Sequence, residues 1–409
     1  MKLFNKPIFT GFAPNLTLQD LKTACAFLFL PWHWKNLCHG QAINKVEEWL
    51  RDYFQIKNVF TYDSGRTALH YALKALGAKE NDDVLVQAYT CMVVSNAINW
   101  TRAKPIYVDV CDDFNMDPED LEKKITDKAK ILIIQHTFGK PANLDKLLTI
   151  AQKYKLKVIE DCAHALGARY SKQLVGTFGD IGMFSFGSDK IVSCGRGGAL
   201  ITNQEIIASK LREFQTQLPL ANRLKVIQHL NSFPLFSLGK SLYNLNFGKW
   251  LLGLARMLNL MNKIIYIPEK QGRPITFYPS LLPNALAQIL LNQLKNLKTV
   301  NKHRQKIARL YDQKISRQKP EWNKDSIWLR YTLLRNNAKA MRFQAKKAGI
   351  ILGDWYSCPI APCDINQQAS GYISNSCPNA EKLAILSINL PTNCHISEKD
   401  VNRICKYVK

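Results

Sequence analysis

Apolar positions along the first half of the chain switch between two spacings. Gln41 to Phe54 carries Ile43, Val46, Trp49, Leu50 and Tyr53 on one helical face. Short apolar runs then alternate with helical stripes. The runs are Val59 to Tyr62, Val84 to Ala88, Pro105 to Val110, Ile131 to Gln135, Lys157 to Ile159, Gly182 to Phe186 and Ala199 to Thr202. Between them lie a stripe of Ala68, Leu69, Ala72, Leu73 and Leu76, a second over Val93 to Trp100, and a third over Leu144 to Tyr154. A further helix opens at Asp117-Pro118, an N-cap acid followed by proline in the first turn. Strands separated by helices at this spacing predict an α/β fold built on a mostly parallel, seven-stranded sheet covered on both faces.

The pattern then changes. Ile206 to Gly272 reads as helical, and no Asp or Glu occurs between Phe214 and Pro268. Its segment FGKWLLGLARMLNLMNKII is helical in pattern, apolar and basic, which suits packing on the domain or a partner copy, or contact with an anionic membrane surface. Pro283 to Asp312 predicts one long helix. After it come a strand (Ile327 to Leu334), a helix (Ala338 to Ala348), a loop with Trp355 and Tyr356, a helix from Pro378 to Leu386, and a last one opened by Ser397 and Asp400. The expected division is 1–205 as a large domain, 206–272 as a basic apolar insertion, and 273–409 as a smaller α+β domain. Near the start, Ala24 to Trp34 is an apolar patch broken by Pro31, too short to cross a bilayer and suited to core packing or an interface.

Composition narrows the classes. Eleven scattered cysteines, with no CxxC pair and no leader ahead of them, predict reduced thiols in a cytoplasmic protein and no metal site. The net charge of +24 would attract phosphate, nucleic acid or an anionic membrane. No basic–aromatic module accompanies it, so nucleic acid is not the expected partner.

The candidate chemistry sits just past strand ends, where open α/β sheets place it. Glu160 and Asp161 follow one run, Lys190 follows another, and Gly195, Gly197 and Gly198 precede a third. The turn Asp63-Ser64-Gly65-Arg66-Thr67 joins a strand to a helix, and the free amides of such a helix start attract anions. A lysine amine, a carboxylate and a phosphate cradle are together what a pyridoxal phosphate enzyme requires.

The segments SGRTALHYALKALG, AKPIYVDV, VIEDCAHALGARY, VGTFGDIGMFSFGSDK and GRGGALITN, with CPNAEKLAILSINLP near the end, resemble the DegT-type sugar aminotransferases. That resemblance implies a fold-type-I, pyridoxal 5'-phosphate-dependent transaminase. It would move an amino group, usually from glutamate, to a keto-sugar on a nucleotide diphosphate, as a homodimer. By resemblance Lys190 binds the cofactor covalently and shuttles the proton, Asp161 pairs with the pyridine nitrogen, and His164 lies near the phenolic oxygen. Ser185 and the Gly65–Arg66–Thr67 turn would hold the phosphate, with Arg66 as a forked donor. Three positions depart from relatives. Cys91 stands where an aromatic usually covers the ring, a task Tyr89 could share. Thr276 stands where an Asn reaches the partner subunit's phosphate, and Arg196 replaces the usual Glu. Two other readings are a same-fold sugar dehydratase, which by resemblance has histidine in place of Lys190, and a non-catalytic protein bound at a membrane surface.

Overall fold

The structure is a computed structural model that describes residues 7–11, 15–315 and 320–408. Seven strands form one sheet in the order Asn58–Tyr62, Gly198–Thr202, Ile181–Ser185, Lys157–Asp161, Ala129–Gln135, Asp83–Gln87 and Lys104–Val108. The last five of these run parallel, whereas Gly198–Thr202 runs antiparallel to both its neighbours. The α/β expectation is met. Alternate residues of each strand feed opposite cores: Leu85, Leu132, Ile134 and Val158 face one, and Val84, Val86, Ile133 and Ile159 the other. Burial on both faces explains why these strands read as continuous apolar runs.

A smaller unit lies beyond the sheet. Strands Arg330–Leu334 and Ser387–Pro391 pair antiparallel, and helices Ala338–Lys347 and Glu398–Cys405 bury Ala345, Val401 and Ile404 in its core. The chain start joins this unit, with Ile8–Phe9 running parallel to Ile350–Ile351. Helix Leu18–Phe29 packs on helices Arg223–Ser241 and Asn284–Lys295. From the early apolar patch Ala24 and Phe27 are buried, while Phe29, Trp32 and Trp34 stay exposed.

Several elements differ from their sequence pattern, each for a local reason. The helix expected over Pro283 to Asp312 is two, Asn284–Lys295 and Leu297–Lys314. At the break the side chain of Asn296 donates to the Asn292 carbonyl at 3.0 Å, the acceptor a continuous helix would give to its amide. That amide turns instead to Gln293 O. In the basic segment the helix Phe247–Met257 stops early, because Asn259 adopts a left-handed conformation (φ 54°) and Leu260 N–H closes on Ala255 O. Met261 to Ile265 then form an irregular strap. The strand expected from Ile327 begins at Arg330, since Trp328 has φ 53°. One pair departs from the expectation of free thiols: Cys358 and Cys363, five residues apart in a loop, are joined.

In the 206–272 region, helix Glu205–Thr216 packs on helix Gly65–Ala75 and the sheet. Helix Phe247–Met257 buries Leu252 and Ala255 against Phe236 and Met261. Its other face leaves Phe247, Trp250 and Met257 exposed beside Lys249 and Arg256.

Two glycines test this packing with opposite signs. A Cβ at Gly198 would lie 2.5 Å from Ser64 O, so Gly198→Ala should destabilise by about 1–3 kcal/mol. Gly253, mid-helix with nothing near its Cβ position, should gain about 0.5–1 kcal/mol on substitution by Ala. Urea unfolding of the two variants checks both signs.

Candidate active site

Strand Asn58–Tyr62 ends in a turn held by Asp63, whose Oδ2 accepts from the amide and hydroxyl of Ser280 at 3.0 Å each. Ser64 caps the next helix, accepting from Thr67 N–H at 3.3 Å, and its hydroxyl meets the Thr67 hydroxyl at 3.0 Å. Helix Gly65–Ala75 then buries Ala68, Leu69, Ala72 and Leu73. A Cβ at Gly65 would stand 2.8 Å from Ser185 Cβ and Oγ, so only glycine lets the turn approach the end of strand Ile181–Ser185. The first-turn amides, which have no acceptor within the helix, therefore converge with a serine hydroxyl. Thr67 is buried and serves the turn itself.

Beside this cradle lies a cavity of about 270 Å³. Asp161 and Lys190 both line it, with Gly65, Arg66, Cys91, His164 and Ser185. Asp161 ends a strand parallel to Ile181–Ser185, where it is in register with Met183. It is 3% exposed, and its Oδ1 accepts from Ala163 N–H at 2.9 Å. Burial pushes its carboxyl up, against the pull of the Ala163 amide, Lys190 and His136. Lys190 sits on the loop after Ile181–Ser185, its Nζ 3.9 Å from Asp189 Oδ1. Asp189 is itself held by Arg330 Nη2 at 3.1 Å, and that guanidinium lies 3.7 Å from the centre of the Trp355 ring.

His164 lies against both Phe138 (5.9 Å, 8°) and Tyr356 (6.2 Å, 25°), whose own ring centres are 6.2 Å apart. Its Nδ1 accepts from Phe138 N–H at 3.4 Å, which puts the ring proton on Nε2, 3.5 Å from the Tyr356 hydroxyl. Burial, then Lys190 and Arg330, hold its pKa well below 6.5.

Two expectations need correction, those for Arg66 and Tyr89. The Arg66 guanidinium is not free as a phosphate fork: it pairs with buried Glu269 and donates to Ile264 O at 2.6 Å. The backbone amide of Arg66 is what it leaves to the cradle. Tyr89 does not help Cys91 cover the cavity, because it is fully buried with its hydroxyl on Ser387 at 3.1 Å and on Trp355 O at 3.3 Å. Thr276 is exposed and outside the cavity wall. Cys91 does line the wall, and burial raises its thiol pKa. Sequence reading assigned no role to Asn262, Ile264, Ile265, Trp355 or Tyr356, all of which line the cavity. No spacing signal pointed to the first three, whereas a Trp-Tyr pair in an otherwise polar loop did mark the others.

Among the described residues one group has metal-ligand types in reach: His136, Glu160 and Cys162, all buried. Its polar atoms are already used. Glu160 accepts from the amides of Gly176, Phe178 and Gly179 at 2.6–2.8 Å and from His136 at 3.2 Å, and His136 Nδ1 accepts from Ala142 N–H. These contacts are structural.

The cavity fits pyridoxal phosphate on its own geometry, since one end is a helix-start anion cradle that a Cβ would fill. An amine and a buried carboxylate with a spare oxygen line the same wall.

Known proteins point the same way. The profile of the DegT/DnrJ/EryC1/StrS aminotransferase family matches residues 32–229 and 276–409. GDP-perosamine synthase from Escherichia coli O157:H7 is 38% identical over 179 residues, spanning 44% of this chain and about half (49%) of that relative. An uncharacterised protein, MJ1066, from Methanocaldococcus jannaschii is 28% identical across 97% of this chain and 96% of its own. A sugar aminotransferase from Streptococcus pneumoniae, solved in its PLP form and described as putative, superposes with a TM-score of 0.75. It is 20% identical and covers 98% of this chain and 97% of its own.

A neutral buried imidazole sets a pH trend. The folded pKa of His164 lies below its unfolded value, so its contribution is complete above pH 6.5 and is lost as pH falls below it. Unfolding free energy of the wild type should drop with decreasing pH more steeply than that of His164→Gln. The difference in slope should be about 1.4 kcal/mol per pH unit, read by urea titrations between pH 5 and pH 7.

Proposed function

Because the chain belongs to the DegT/DnrJ/EryC1/StrS aminotransferase family, we propose that it is a pyridoxal-phosphate-dependent sugar aminotransferase. It moves an amino group from glutamate to the keto group of a nucleotide-linked sugar. The observation that carries the reading is that Lys190 and Asp161 border one cavity, beside the Gly65–Ser185 cradle. Bound there, pyridoxal phosphate supplies an electron sink that acidifies the C–H bond next to an attached amine.

The chain's own groups do the rest. The amides of Gly65 and Arg66 and the Ser185 hydroxyl hold the phosphate. Asp161, whose carboxyl burial pushes up against the pull of the Ala163 amide and Lys190, would pair with the protonated ring nitrogen. Lys190 Nζ would hold the cofactor covalently and, when freed, would serve as the base that carries the proton. His164 Nε2 donates towards the phenolic oxygen, and Tyr356 and Phe138 keep water from that edge. Over the full reaction glutamate would become its keto acid and the keto-sugar would become the amino sugar, the water used in releasing the one being returned in aminating the other. Lys190 disfavours the dehydratase reading, which calls for histidine at that position.

The enzyme works as a homodimer, a reading that rests on the family, in which the residue matching Thr276 reaches the partner subunit's phosphate; Thr276 is exposed and outside its own cavity. A second surface reading rests on helix Phe247–Met257, whose exposed Phe247, Trp250 and Met257 sit beside cations on a helix that carries no acid. That face suits peripheral contact with an anionic membrane. No described helix is long and apolar enough to cross one.

Asp161→Asn should still bind the cofactor but convert it with glutamate at least about a hundredfold more slowly, followed by the change in visible absorbance. Wild-type rate in that variant would remove Asp161 from the mechanism. Sedimentation reads the surfaces: twice the 46.6 kDa chain mass alone, and co-pelleting with phosphatidylglycerol vesicles that salt reverses. A monomer, or no pelleting at low salt, rejects the corresponding reading.

A further inference from the structure

One end of the cavity holds more positive charge than the steps above use. Arg196, which stands in the glycine cluster, lines the wall there beside Gly195, Gly197 and Asn262. It is 5% exposed, and its Nε has no hydrogen-bond partner. Its Nη1 donates to Asn262 Oδ1 and Lys263 O at 3.3 Å each. Its guanidinium lies 4.4 Å from the centre of the Tyr278 ring and 5.6 Å from that of Tyr266. Lys225 comes to the same Tyr266 ring at 5.5 Å from another helix. The buried hydroxyls of Tyr266 and Tyr278 also have no partner.

Like charges crowd here. Arg66 is lowered to about 10, first by burial and then by Arg196, and Lys225 is lowered by burial, then by Lys263 and Arg196. His229, pressed by burial, Arg196 and Lys225, stays neutral. Four cations thus face two carboxylates, Glu269 and Asp63, and Glu269 is already paired with Arg66. A buried arginine with an idle N–H, in a cluster of excess positive charge at a cavity wall, is a site short of an anion.

We propose that Arg196, with the charge of Lys225 behind it on the shared Tyr266 ring, forms a phosphate-binding site in the wall of the cavity. A planar guanidinium with an idle N–H matches the oxygens of a phosphate or diphosphate, and the nearby Lys225 charge adds to the attraction. Two sources carry that chemistry, the cofactor's phosphate and the diphosphate of the sugar acceptor. Only this choice of source rests on the proposed function. Asn262, which binds Arg196, and Tyr266, on which it lies, fall between the two family-matched stretches, so part of the site belongs to this chain's own elaboration.

Calorimetry on wild type, Arg196→Gln and Arg196→Lys tests it. Inorganic phosphate and pyridoxal phosphate are titrated into cofactor-free protein, and UDP and GDP into cofactor-loaded protein. Arg196→Gln should weaken at least one set about tenfold or more, the wild-type affinity should fall with salt, and Arg196→Lys should recover part of the loss. Loss confined to UDP or GDP assigns the acceptor diphosphate, and loss of phosphate and pyridoxal phosphate assigns the cofactor. Unchanged affinities for all four ligands, or equal losses in Gln and Lys variants that track a lower melting temperature, overturn the site. Should Arg196→Gln fail to fold, Lys225→Gln decides, with about threefold weaker binding expected and no change contradicting the proposal. Wild-type protein that shows the visible cofactor band yet binds none of the four ligands defeats this site and leaves the aminotransferase reading standing.

Discussion

A carboxylate buried at a strand end is the constraint on which the proposed active site depends, since pairing with a ring nitrogen calls for its charged form. Asp161 is buried at the end of a strand, where desolvation favours its neutral form. The fold opposes that penalty with a backbone amide two residues on and with the charge of Lys190 from the neighbouring strand's exit. Both strands run parallel and end on the same edge, so amine and acid are brought together by topology, without a long side chain having to search. The antiparallel strand Gly198–Thr202 adds a second restraint, pressing on Ser64 and fixing the phosphate turn against Ser185.

The region between the family-matched stretches is built into this centre. Glu269, with no exposed surface, pairs with Arg66 on the phosphate helix, and Asn262 ties the strap to Gly195 O at 2.9 Å. The strap then supplies Ile264 and Ile265 to the cavity. Arg66 thus holds its own chain's 206–272 region, so under the proposed function a phosphate would fall to the backbone amides. Cations stripped of acids along 214–268 have two consequences: a basic apolar outer face and an anion-poor inner one.

The sheet was legible because burial on both faces forces apolar runs, and all seven runs lie on observed strands. Asp161 and Lys190 could be found because both fall at run ends, a position the period of the pattern reveals. What stayed hidden depended on side-chain hydrogen bonds the pattern does not carry. Asn296 breaks a helix by taking one carbonyl, and Asn259 ends another by going left-handed. Arg66 looked free until Glu269, 203 residues away, came into contact with it. Tyr89 looked like a ring cover until its hydroxyl was seen committed to Ser387. Asn262 and Ile264 gave no sign, since nothing in a basic apolar stretch distinguishes a cavity wall from a surface.

The central claim is that one lysine holds the cofactor across from one acid. Reduction of the purified holoenzyme with borohydride, followed by proteolysis and mass spectrometry, locates the attachment. The account predicts the phosphopyridoxyl mass on the peptide that contains Lys190 and on no other. The label on a different lysine, or a colourless protein that takes up none from added pyridoxal phosphate, would contradict it.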